Sequence, residues 1–94
     1  MNKREEMFVI TMEECGELIQ ACSKMLRTKE KGEAYIQNLQ DEVGDVCAMI
    51  EVLKLSGVVT QEMIDKRMEE KKQKLMKWSM LYNEDPMRSH ILDI

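Results

Sequence analysis

The sequence predicts an all-α fold, a small bundle of three main helices completed by oligomerisation. Three observations predict it. Glu, Lys, Leu and ten Met dominate the chain, while four Gly and one Pro are few, a composition that favours helix throughout. Apolar residues recur at spacings of three and four in three separate stretches, the period of an amphipathic helix. An acidic pentad, Glu13-Glu14-Cys15-Gly16-Glu17, returns as Asp41-Glu42-Val43-Gly44-Asp45 at the same place in the second helical pattern.

The first helix is expected over about residues 3–27. Asn2 followed by Glu5 forms a capping-box signal, and Phe8, Met12, Cys15, Ile19, Cys22 and Leu26 make its apolar stripe. The polar run from Arg27 to Gly32 reads as a loop. The second helix is expected over about 33–55, with Ile36, Leu39, Val43, Val46, Ile50 and Leu53 as its stripe and Gly57 as its C-terminal cap. Thr60 then reads as the N-cap of a third helix over about 61–82. Its stripe is thin (Ile64, Met68, Leu75, Trp78, Tyr82), which suits packing on another subunit or over a site. Residues 1–82 form one domain. The tail 83–94 reads either as flexible or as docking on a partner subunit.

Composition bounds the function. With 94 residues, 44% of them apolar and 34% charged, the chain is globular but short, and chains of this size bury only about 60–65% of their unfolded surface. Oligomerisation or a bound ion is expected to make up the difference. A net charge of −4 disfavours nucleic acid as a partner. No apolar run is long enough to span a membrane, and no signal peptide is expected. Cys15, Cys22 and Cys47 show no Cys-x-x-Cys spacing and fall on apolar stripes, so they are expected as buried thiols in a reducing cytoplasm.

At about 100° per residue, Glu14 and Glu17 fall on one shoulder of the first stripe, and Glu42 and Asp45 at the same relative angles on the second helix. Glu13 and Asp41 fall on the more exposed side. Antiparallel packing of the stripes would bring four carboxylates into one small volume, where repulsion and desolvation oppose their ionisation. A bound cation relieves both. Oxygen-only ligands with no nearby His favour Mg²⁺, with Mn²⁺ as a substitute, over zinc. A helical Gly costs about 1 kcal/mol relative to Ala, so Gly16 and Gly44 suggest close backbone approach or room for a ligand. Against this stands the fact that acidic i, i+3 pairs are common on solvated helix faces.

The motif Glu13-Glu14-x-x-Glu17, then 24 residues, then Glu42-x-x-Asp45 resembles that of the MazG-like all-α nucleoside triphosphate pyrophosphohydrolases, over about residues 5–78. Lys71-Lys72-Gln73-Lys74-Leu75 matches the family's third-helix pattern. The resemblance implies a homodimer or homotetramer with a bundle-like core. It also implies Mg²⁺-dependent hydrolysis of a nucleoside triphosphate to the monophosphate and pyrophosphate. The metal-binding acids fall on Glu14, Glu17, Glu42 and Asp45, with Glu13 in support. Glu14 or Glu17 would orient the attacking water, and Lys71 and Lys74 would steady charge on the leaving pyrophosphate. Lys71 lies on the apolar stripe of its helix, where an anionic partner is expected, either phosphate or a carboxylate of a neighbouring helix. Trp78 is a base-stacking candidate but on a helical stripe is more often core. His90, alone in the tail, reads as incidental, and a single His disfavours a di-iron bundle. Two rivals stand beside this reading: a phosphoribosyl-ATP pyrophosphohydrolase-type activity and a non-catalytic helical interaction protein.

Overall fold

The computed structural model describes residues 1–27 and 32–81. It is all-α, with no strand among the described residues, and its helices are α1 (Lys3–Arg27), α2 (Glu33–Leu55) and α3 (Gln61–Trp78). The expected bounds of α1 and α2 hold. Most of the expected loop after α1 (28–31) and the tail (82–94, with Tyr82 and His90) lie outside the described residues.

The local chemistry sets the helix ends. The Asn2 side chain accepts from the Glu5 backbone N–H at 2.8 Å, and Glu5 accepts from the Asn2 N–H at 3.3 Å, a reciprocal capping box. α2 ends where Gly57 takes φ +83°, a left-handed conformation that Gly adopts without side-chain strain. The Thr60 hydroxyl accepts from the Met63 N–H at 3.2 Å and opens α3. α3 stops at Trp78, four residues before its expected end at 82. There Ser79 is extended and its hydroxyl accepts from the Leu81 N–H at 3.1 Å, a local bond that competes with helix continuation.

The chain divides into two compact units, Met1–Val58 and Val59–Ile94. In the first, α1 and α2 pack against one another. Met7 and Ile10 meet Met49 and Val52 around one groove, and Glu14 and Glu17 meet Glu42 and Asp45, so the pairing is antiparallel. In the second unit α3 buries none of its residues. Lys77 lies 5.3 Å from the Trp78 ring centroid, a cation–π contact, and Trp78 itself is 78% exposed rather than core.

The packed face of α1 is not the expected stripe. Met7 and Ala21 are buried, and Ile10, Glu14, Leu18 and Met25 are half-buried; all six lie within about 40° of the Glu14 direction. Phe8, Met12, Cys15, Ile19, Cys22 and Leu26 lie about 120° away and are exposed, Ile19 at 70% and Leu26 at 89%. The α2 stripe splits: Leu39, Val46 and Leu53 are half-buried in the seam, while Ile36, Val43 and Ile50 are exposed. Both helices are therefore apolar over two sectors, and a pair of helices covers only one sector of each. The expectation of buried thiols is corrected by the same geometry, since Cys15, Cys22 and Cys47 are all exposed in the uncovered sectors. These sectors are displaced the same way round their helices, so the antiparallel pairing sets both on one side of the hairpin. Glu17 and Asp45 are displaced the other way by about 60°.

Candidate metal centre

Each pentad delivers an i, i+3 pair of carboxylates to one face of its helix. The antiparallel seam then brings the two pairs together. Glu14, Glu17, Glu42 and Asp45 each offer one oxygen, and these four oxygens lie within 4.8 Å of one another. The two pairs are not equivalent in depth. Glu14 and Glu42 are half-buried in the middle of the seam, while Glu17 and Asp45 are exposed at its edge.

One oxygen of Glu14 and one of Glu42, both Oε2, are shut off from solvent and have no hydrogen-bond partner among the described residues. Buried acceptors are ordinarily satisfied, so each such orphan asks for an explanation. Desolvation pushes the Glu14 carboxyl above its ordinary value of 4.5, and the charges of Glu17, Asp45 and Glu13 push the same way. Glu42 is raised first by desolvation, next by a hydrogen bond with Glu17, and then by the charges of Glu17, Asp45 and Glu14. Both shifts disfavour full ionisation of the cluster, and a bound cation would relieve them.

The donor set is oxygen alone, four hard carboxylates with no imidazole or thiolate, which fits Mg²⁺ or Mn²⁺. Opposite oxygens of a Mg²⁺ octahedron stand about 4.2 Å apart, twice the bond length of about 2.1 Å. The four oxygens, all within 4.8 Å of one another, are spaced close to that span.

Other expected features fare differently. Glu13 and Asp41 are exposed, and Asp41 accepts from Gln37 Nε2 at 2.8 Å. A Cβ added at Gly16 or Gly44 meets no heavy atom within 4 Å, so close backbone approach within the chain is corrected to open space. Lys71 and Lys74 are exposed on α3, in the second unit. Among the described residues neither makes an ion pair, while Arg67 beside them pairs with Glu70 at 3.1 Å. Ile10 and Met49, each four residues from one of the acids and so on the same helix face, line a groove of the same seam.

Comparisons with family models, with curated proteins and with solved structures return no match to this chain. No helix among the described residues is long and apolar enough to cross a membrane.

Proposed function

We infer that the protein is a Mg²⁺-dependent nucleoside triphosphate pyrophosphohydrolase of the MazG-like kind, acting in the cytoplasm as a homodimer or homotetramer. The observation that carries this is the convergence of four carboxylates from two repeated pentads, with two of their oxygens shut from water and unpartnered among the described residues. An acidic set that resists its own ionisation is a poor stabiliser of a bare protein and a good receptor for a divalent cation. The motif resemblance supplies the substrate class.

Mg²⁺ bound there would neutralise the triphosphate and lower the pKa of water. Glu14 and Glu42, held in the seam, would fix the ion's position. Glu17 and Asp45 complete the ligand set from the solvent-facing edge. Glu17 or Glu14 would orient the attacking water and take its proton. The motif resemblance alone assigns Lys71 and Lys74 the part of steadying charge on the departing pyrophosphate. The exposed sectors of α1 and α2 support a homo-oligomer, because the described part of the chain buries only Met7 and Ala21.

The same exposed sectors suit a non-catalytic partner protein, which would need no cation. A panel of canonical and modified nucleoside triphosphates, scored for pyrophosphate with and without Mg²⁺, separates the readings. Release from at least one substrate only with the ion supports hydrolysis. No release from any, with no effect of Mg²⁺ on melting, favours the partner protein.

A further inference from the structure

Turned about 80–160° from the seam, α1 presents Phe8, Met12, Ile19 and Leu26, and α2 presents Ile36, Val43 and Ile50. Both sectors fall on one side of the hairpin. They carry two charges, Arg4 and Lys54, both at the end where α1 starts and α2 finishes. Each is already engaged: the Arg4 guanidinium lies 5.2 Å from the Phe8 ring centroid, and Lys54 pairs with Glu51 at 3.1 Å. The seven apolar side chains are 36–89% exposed. At about 200 Å² for a large side chain in full exposure, they offer on the order of 700 Å². That is close to the ~800 Å² per partner of a standard interface. A face of this size and composition suits a second copy of the chain, which brings the same apolar surface and no carboxylate to bury.

The chain has three cysteines, and all three stand exposed on this face. Cys15 and Cys22 lie in the α1 sector, about 10 Å apart along the axis at 1.5 Å per residue, and Cys47 lies in the α2 sector. We propose that these thiols make assembly redox-sensitive: a small charged disulfide such as glutathione disulfide caps them and keeps the chain from its partner copy. The inference rests on the homo-oligomer part of the reading above and adds its regulation. In the exchange a cysteine sulfur attacks one sulfur of the disulfide and the S–S bond breaks. A mixed disulfide forms on the protein, and the released glutathione leaves with the cysteine's proton. Each cap brings two carboxylates and one ammonium to a face otherwise free of carboxylates. Covering a capped face would bury unpaired charge, a cost that outweighs the apolar contact. The assembled state shields the thiols and the single chain exposes them, so the cap forms on the single chain and holds it there by mass action. A thiol reductant reverses the exchange.

The test follows the full chain by sedimentation over a range of concentrations, reduced or treated with glutathione disulfide, with the caps located by mass spectrometry. Capping is expected to weaken assembly by about 100-fold or more, the scale of a charge buried without a partner, and dithiothreitol to restore it. The triple variant Cys15→Ser/Cys22→Ser/Cys47→Ser is expected to assemble as the reduced wild type does and to ignore the treatment. If that variant fails to fold, the recovery of the wild type under dithiothreitol decides in its place. Four results overturn the redox control and leave the homo-oligomer standing: caps on the thiols with assembly unchanged, disulfides between copies in place of caps, thiols that stay uncapped in single chains at high dilution, or equal dissociation of the triple variant. A reduced protein that sediments as a single chain at every concentration overturns both.

Discussion

The seam between α1 and α2 and the uncovered side of the same hairpin hold the wrong residues for a protein built only for stability. Two carboxylates sit half-buried in the seam, while Met12, Ile19 and Leu26 stand 65–89% exposed. Desolvating a carboxylate is costly, and covering an apolar side chain is favourable. The arrangement forgoes both. The contrast teaches that the two sides serve different ends. On the proposed reading, the seam gives up stability to hold a charged site, and the apolar side is the face that a second subunit would cover.

The sharpest way to break this contrast is to neutralise the seam. Glu42→Gln or Asp45→Asn is expected to lower pyrophosphate release by about 100-fold or more, since even residues that only support metal ligands cost 10–100-fold. An unchanged rate would remove these acids from the site. Mg²⁺ should raise the melting temperature of the wild-type protein. Saturation at about 100 times Kd contributes about 2.7 kcal/mol, and each kcal/mol moves a domain of this size by about 4–8 °C. The Glu14→Gln/Glu42→Gln pair should abolish the rise; a rise that persists in the pair places the ion elsewhere.

The uncovered side is probed by Ile19→Lys. In an isolated chain this exposed position tolerates the change within about 0.5 kcal/mol. In an oligomer sealed by this face, it should convert the assembly to single chains, read by sedimentation. Unaltered assembly would show that another surface holds the subunits together.

Protonation gives a smaller effect with a definite sign. Glu14 and Glu42 have raised folded-state pKa values, so between their unfolded and folded values the folded state binds more protons. Without metal, their contribution is fully present below about pH 4.5 and is lost as pH rises through the folded values. The melting temperature of the Glu14→Gln/Glu42→Gln pair should therefore gain on the wild type as pH climbs from 4.5 towards 7. A constant difference between the two proteins would contradict the desolvated seam. The smallest effect is Gly16→Ala. The new methyl meets nothing within 4 Å, and helix propensity favours it by about 1 kcal/mol. Loss of stability in its place would reveal a second chain or a ligand pressed on that turn.

Much of this was legible in the sequence. The ends of α1 and α2 follow from Asn2, Glu5 and Gly57, whose capping chemistry is local and strong. The four inner acids were separable from Glu13 and Asp41 because helical phase alone places them. Which apolar sector packs within the chain was not legible. Phe8, Met12 and Ile19 make as regular a stripe as Met7, Ile10 and Leu18, and periodicity carries no information about which sector meets the neighbouring helix. The thiols were misplaced with that stripe. The end of α3 was overrun because the Ser79 hydroxyl competes for a backbone N–H, a choice that apolar spacing does not record.

The most direct test of the central claim measures pyrophosphate released from a panel of nucleoside triphosphates by the wild-type protein and by Glu42→Gln, each with Mg²⁺ and with a chelator. Release by the wild type with Mg²⁺, lost both on chelation and in the variant, is the result predicted. Equal release by the variant, or none by the wild type with either Mg²⁺ or Mn²⁺, would contradict a catalytic metal centre in the α1–α2 seam.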